Sequence, residues 1–322
     1  MRREVASVAA MGTLLAASQL AALALAPLFY GAGFTAFQNP NDATNTLVYI
    51  LMILVFTGII LGLVRYRRRH LAKYVILASV FLTVAFVLLL PIYYGIYAGV
   101  NLFTTPDVDA VGNVATLLAF VLGALVTWAL VKYPEWYVVD AVGFLTATGV
   151  TAILGISFGI LPALLLLVAL AGYDAWAVYR TKHMVTLADE LTSQRLPVLL
   201  VIPKHAEYSF RDQKSLKEQV AKGEEREAMF IGLGDLIIPG VLAVSARAFL
   251  TDSFGRTVFG LDPSLLVAIV TILGSLAGFA VLMRFVMKGN PQAGLPLLNG
   301  GAIAGFFLGV LAVYGTIIPP TA

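Results

Sequence analysis

The chain reads as an all-α, polytopic membrane protein with nine transmembrane helices, and three observations lead there. Of its 322 residues 60% are hydrophobic and only 12% charged, with a mean hydropathy of +0.90. Soluble domains carry about a quarter charged residues; apolar surface in such excess needs lipid as its solvent. Runs long enough to cross about 30 Å of hydrocarbon recur along the whole chain. Nearly all the basic residues fall between alternate runs.

Taken in order, the runs cover 5–30, 47–64, 75–100, 111–131, 137–153, 157–179, 228–250, 264–286 and 294–316. The first follows Arg2-Arg3 and contains Ala24-Leu25-Ala26, a triplet like a signal-peptide cleavage site. Pro27 would follow that cut, however, and the apolar run continues to Tyr30. About 25 apolar residues exceed a signal core and suffice to span, so this run is expected as a retained helix. Pro91 is expected to kink the third. Only the glycine-flanked stretch 149–155 separates the fifth from the sixth. No internal repeat is evident, which weakens a transporter built from duplicated halves.

Charge placement fixes the topology. With a cytoplasmic N-terminus, Arg2, Arg3, the basic cluster at 65–73, Lys132, the basic residues of 180–227, Arg284 and Lys288 all lie inside. Of 21 Lys and Arg only Arg247 and Arg256 fall outside. The positive-inside rule is obeyed, and eight or ten spans would divide this charge between both sides. The chain is therefore one integral membrane domain: 1–180 carries helices one to six, 181–227 is a cytoplasmic loop, and 228–322 carries helices seven to nine. The loop's charges nearly balance, as in a solvated segment rather than a lipid-binding patch. Within it Leu196-Pro197-Val198-Leu199-Leu200-Val201-Ile202 fits a short strand, and fits equally a segment lying on the membrane surface.

Composition also excludes chemistry. There are no cysteines, so thiolate metal sites and iron–sulfur clusters are out. His70, His183 and His205 lie in charged stretches and form no HExxH pair. No metal or cofactor is expected, and a net charge of +3 gives no pointer to nucleic acid.

Acids within spans cost roughly 2.5–3.5 kcal/mol each even on insertion scales, so each needs a reason. Asp140 lies close to the interfacial aromatics Trp136 and Tyr137 and reads as a helix-start residue at the water boundary. Asp174, in Tyr173-Asp174, sits near the cytoplasmic end of the sixth run; Asp235, in Gly232-Leu233-Gly234-Asp235, sits near the cytoplasmic start of the seventh. Both fall roughly 8–10 Å below the surface at 1.5 Å per residue. The two runs are consecutive and antiparallel, so adjacent packing brings the carboxyls to one level. Gly232 and Gly234 leave room for a neighbour or a substrate. Such acids serve ion relays as well as hydrolysis, and both readings stay open at this point. A third element lies at the same end, where Ala293-Gly294-Leu295-Pro296 opens the ninth run. Glycine and proline there loosen the backbone, which membranes tolerate only where it lines a cavity or meets a partner.

Together these residues resemble the presenilin and signal-peptide-peptidase family, most closely its archaeal members. That family carries Tyr-Asp in the sixth span, Gly-x-Gly-Asp in the seventh and Pro-Ala-Leu at the start of the ninth. Here the first two are Tyr173-Asp174 and Gly232-Leu233-Gly234-Asp235. The third, aligned on Pro296, is Ala293-Gly294-Leu295, with alanine for the proline and glycine for the alanine. The resemblance covers nearly the whole chain. It implies a presenilin-like fold in an archaeal cell membrane and an intramembrane aspartyl protease with Asp174 and Asp235 as the catalytic pair. Tyr173, Gly232, Gly234, Ala293, Gly294, Leu295 and Pro296 would support the site.

The implied mechanism needs no metal or covalent intermediate. Two neighbouring carboxyls share one proton; the ionised one activates water and the protonated one polarises the scissile carbonyl. Substrates are transmembrane helices of membrane proteins or signal peptides, reached through lipid, and a homo-oligomer is compatible with the sequence. The substrate must unwind, and strand pairing with 295–298 and 198–202 is expected to hold it. Gly155-Ile156-Ser157-Phe158-Gly159 matches a serine-nucleophile pattern, but no histidine lies in a span to serve it, so helix packing is the expected role. The remaining rival is a proton- or cation-coupled transporter or channel using the same acids.

Overall fold

A computed structural model describes residues 2–66, 68–181, 199–205, 208–210, 228–251, 260–287 and 292–321. Six helices come first: α1 (Arg2–Gly31), α2 (Thr44–Arg65), α3 (Arg69–Asn101), α4 (Val108–Lys132), α5 (Trp136–Ser157) and α6 (Ile160–Trp176), the last running into a π-helical turn (Ala177–Thr181). Two strands follow, β1 (Leu199–Pro203) and β2 (Ala228–Gly232), then α7 (Leu233–Phe249), α8 (Pro263–Val286) and α9 (Leu295–Tyr314). The architecture is all-α and polytopic, as the hydropathy implies. Most of 181–227, including Leu196, Pro197 and Val198, lies outside the described residues.

Among the described residues eight helices have the length and apolarity to cross a bilayer. The seventh crossing differs from the uniform helix expected over 228–250. Its first five residues form β2, and only 17 residues remain helical in α7, about 25 Å of helix. Ala228-Met229-Phe230-Ile231 is apolar throughout, so its periodicity does not separate strand from helix. The ladder with β1 decides: Leu199 pairs with Gly232, Val201 with Phe230 and Pro203 with Ala228, antiparallel. The strand reading of 199–202 holds, and the surface-segment alternative does not.

One further boundary shifts. The α5–α6 break falls at Phe158-Gly159, beyond the 149–155 stretch, because Phe158 is extended and the Gly159 N–H donates to the Pro40 carbonyl at 2.7 Å. Gly149 and Gly155 instead receive Val87 of α3 and Val244 of α7 inside the helix interfaces. Ser157 is fully buried and accepts the Ala36 N–H at 2.8 Å, a packing role. α3 runs without interruption through Pro91.

α7 is the hub. Leu236 and nearly every residue from 238 to 246 are buried against α1, α5, α6, α8 and α9. A helix apolar all round belongs in the middle of a bundle. α2, by contrast, exposes Leu47, Leu51, Met52, Val55 and Ile59 to the surroundings, as a lipid-facing helix does. α8 and α9 approach through glycines. A Cβ on Gly301 would collide with the Gly274 carbonyl, one on Gly278 with the Leu297 carbonyl, and one on Gly305 would lie 2.5 Å from the Val270 carbonyl. This is the small-residue packing that membrane helices use in place of a hydrophobic drive, and it fixes where α9 starts.

Gly300, one residue away, has nothing within 4 Å of an added Cβ. Gly301→Leu is therefore expected to destabilise the protein by about 2–3 kcal/mol through overpacking, while Gly300→Ala is neutral or slightly stabilising. Thermal unfolding in detergent distinguishes them, and equal melting temperatures would contradict the packing account.

Candidate active site

α9 begins with an N-terminus that cannot cap itself. Its N-cap is Gly294, which has no side chain to offer, and Pro296 stands in the first turn. The first amide, that of Leu295, is satisfied from another helix: it donates to Oδ2 of Asp174 at 3.1 Å. Asp174 lies in the last turn of α6 and is 7% exposed. The carboxylate thus sits at the positive end of α9, where an anion is favoured by both the orphan N–H and the helix dipole.

α7 repeats the device within its own chain. Gly232 is its N-cap and Asp235 its third residue. From there the Asp235 carboxyl turns back toward its N-cap, 3.5 Å from where a Cβ on Gly232 would stand, the position of the acid in a capping box. The spacing of Gly232-Leu233-Gly234-Asp235 is thus a helix-start signature as well as a motif.

The two devices meet at one dipeptide. An added Cβ on Gly294 would stand 3.1 Å from both carboxylate oxygens of Asp235, while the next amide, Leu295, holds Asp174. Both carboxyls thus border the start of α9. A side chain larger than glycine at 294 would press on Asp235, so the close approach is what this position requires.

The other expected residues divide. Ala293 is buried, and Leu295 and Pro296 are half-buried beside the acids. Tyr173 is exposed, with its ring tilted against Trp176 at 6.2 Å between centroids. Gly234 has open space around it and Gly232 only the Asp235 carboxyl. Among the described residues no neighbouring helix uses the room that these two glycines leave. Among the described residues no three His, Asp or Glu side chains come together.

Asp140 is not a boundary residue. It is 9% exposed, and its Oδ1 accepts the Val201 N–H of β1 at 2.7 Å. The nearby aromatics Trp136 and Tyr137 concealed this, since they suit a headgroup region equally well. Asn299 was also missed. Fully buried one turn into α9, it donates from Nδ2 to the Leu167 carbonyl at 2.9 Å, a second tie between α9 and α6. A polar amide in the first turns of an apolar run was the available signal.

Comparison with known proteins gives one answer. A family model described as signal-peptide peptidase, presenilin aspartyl protease matches residues 12–314. Two solved structures of a presenilin family intramembrane aspartate protease, in space groups P2 and C222, superpose with TM-scores of 0.63 and 0.60. They are 35% and 32% identical to the chain, cover 94% of it, and are themselves covered to 97% and 96% respectively. Among curated proteins no relative matches.

The capping geometry has a stability consequence. Asp174→Leu leaves the Leu295 amide unpaired and is expected to lower stability by about 1–2 kcal/mol. Asp174→Asn, which still accepts through its amide oxygen, is expected to change it far less. The comparison is made by thermal unfolding in detergent, and indistinguishable variants would refute the capping role.

Proposed function

Because the chain belongs to the signal-peptide-peptidase and presenilin family of intramembrane aspartyl proteases, we propose that Asp174 and Asp235 are its catalytic pair. They hydrolyse a peptide bond within a transmembrane helix of a membrane protein or signal peptide. The observation that carries this reading is that both carboxyls border adjacent residues: the Leu295 amide donates to Asp174, and an added Cβ on Gly294 would stand 3.1 Å from the Asp235 carboxyl oxygens.

The chemistry follows from that proximity. Two carboxyls at one site in a low dielectric hold a single proton between them. The ionised member takes a proton from water as the water attacks the scissile carbonyl carbon. The protonated member donates to the carbonyl oxygen, giving a gem-diol; the proton taken from water then passes to the nitrogen as the C–N bond breaks, and a diol proton returns to the other carboxylate. The apparent ionisations belong to the pair. Activity therefore falls both at high pH, where the acid is lost, and at low pH, where the base is lost.

A helical substrate hides its amides and must be opened into an extended strand. The far edge of β1 is not available for pairing, because Asp140 already takes the Val201 N–H there. Bonded and non-bonded pairs alternate in an antiparallel ladder, so Val201 and Phe230 point their amides away from each other. The outward N–H and C=O of Phe230 on β2, directly before Asp235, are thus the edge that a substrate strand would extend. This moves the expected pairing from β1 to β2, with 295–298 on the other side of the acids.

The N-terminus is cytoplasmic in this reading. Arg247, one of the two basic residues on the opposite side, is supported there by Asp262 at 2.9 Å and Ser264 at 2.6 Å.

Asp174→Asn and Asp235→Asn are each expected to abolish cleavage of a labelled single-span helix in proteoliposomes while leaving extraction and melting near wild type. Full activity in either variant would refute the pair. Phe230→Pro removes an N–H that the ladder does not use, and is expected to slow cleavage about tenfold or more beyond Phe230→Ala, the loss of a hydrogen bond or two. Equal rates for those two would sink pairing at β2.

A further inference from the structure

The proposed reaction leaves one buried carboxylate unused. Asp140, on α5, bonds the Val201 amide at 2.7 Å. Three residues on, Gly143 forms a pit on α5: an added Cβ there would stand 2.6 Å from Cδ2 of Leu200 and 3.3 Å from Cδ2 of Leu233. Leu200 belongs to β1 and Leu233 opens α7, two residues before Asp235. One further turn along, Ala147 is fully buried in a cluster with Leu200, Ile231 and Leu236. Just before α5, Glu135 accepts the Phe210 N–H at 3.2 Å and so holds the chain beyond β1. One side of α5 thus grips β1, the residues after it and the first residue of α7.

We propose that Asp140 is a positioning residue for proteolysis, which with Gly143 fixes the register of β1 on α5 and, through the β1–β2 ladder, the place of Asp235 and of the substrate-facing edge of β2. The inference rests on the protease reading above. β2 passes into α7 with no intervening loop, so a shift of the ladder shifts Asp235 directly. The hydrogen bond sets β1 along and against α5, and the pit sets its depth. A strand able to slip has no other unique position on an apolar helix, because Leu199-Leu200-Val201-Ile202 offers similar side chains at each step. Asp140 supplies the directional contact from α5, while on α1 the Ser7 hydroxyl donates to the Pro203 carbonyl at the far end of β1 at 3.4 Å. It acts through β1 and is distinct from the catalytic pair, which it does not need to touch.

The test compares wild type, Asp140→Asn, Asp140→Leu, Gly143→Ala and Val201→Pro in proteoliposomes with a labelled single-span helix, reading kcat, KM and the cut positions by mass spectrometry. Asp140→Asn keeps an acceptor and is expected to cleave within about threefold of wild type at the same bonds, less than one hydrogen bond's worth. Asp140→Leu is expected to lower kcat about tenfold to a hundredfold, with KM nearly unchanged and cuts spread over neighbouring bonds, as displacement of a reacting group by an ångström does. Val201→Pro removes the donor alone and is expected to match it, with no added loss in the double variant. Gly143→Ala, which leaves the carboxylate in place, is expected to shift cut positions in the same way.

Amide hydrogen exchange of 199–203 and 228–236 supplies a readout independent of cleavage: it should quicken in Asp140→Leu and not in Asp140→Asn. Wild-type cut positions and kcat in Asp140→Leu, or unchanged exchange, would overturn the proposal. So would an Asp140→Asn protein as inactive as Asp235→Asn with native exchange, since that would make Asp140 a participant in the chemistry. A wild type that does not cleave fails the protease reading instead, and the exchange arm still judges the positioning role.

Discussion

A backbone N–H buried in a membrane protein has no water to turn to, and the active end of this molecule is organised by that fact. Helices satisfy their own amides except at their first turns. Here two first turns, those of α7 and α9, open with glycine caps at the same place. Each has a carboxyl beside it: Asp235 stands in the first turn of α7, and Asp174 from α6 accepts the first amide of α9. Strand β1 meets the same demand on its outer edge with Asp140. Intramembrane acids are costly, and all three are placed where backbone donors are in need.

This arrangement explains how two like-charged groups come to lie together in a low dielectric. Each is drawn to a helix N-terminus, and the glycine contacts between α8 and α9 hold the second N-terminus against the first acid. The stabilisation comes from fixed dipoles that cost no reorganisation when charge moves, which is the condition for electrostatic catalysis. Among the described residues, open space around Gly234 and the β2 edge at Phe230 that the ladder with β1 does not use lie beside the acids, where an unwound substrate would need them. Exposed Tyr173 and Trp176 stand at the same end of α6.

Much of this was legible in the sequence, for physical reasons. Lipid demands long apolar runs and separates charge by side, so the nine helices of the described residues and their order could be marked from hydropathy and Lys/Arg placement. The acids stood out because the other charged side chains in those runs, Arg247 and Arg284, sit within three residues of a run end. The boundaries were harder. Phe158-Gly159 breaks the chain later than the glycines of 149–155 suggested, because Gly149 and Gly155 are consumed in packing. The strand at Ala228–Gly232 was unreadable as such, since four apolar residues suit either periodicity until β1 is beside them. Asp140 was misread because an aspartate near Trp136 and Tyr137 looks interfacial from sequence, and only the position of Val201 shows otherwise. The Gly294 contact with Asp235 joins residues 59 apart in sequence and had no local signal.

The central claim is that Asp174 and Asp235 act on one atom. The measurement that meets it most directly is an experimental structure in lipid nanodiscs with a single-span peptide carrying a hydroxyl transition-state isostere at its cleavage position. The account predicts that the hydroxyl lies within hydrogen-bonding distance of both carboxyls. An isostere bound elsewhere, or seated on one aspartate with the other turned away, would contradict it.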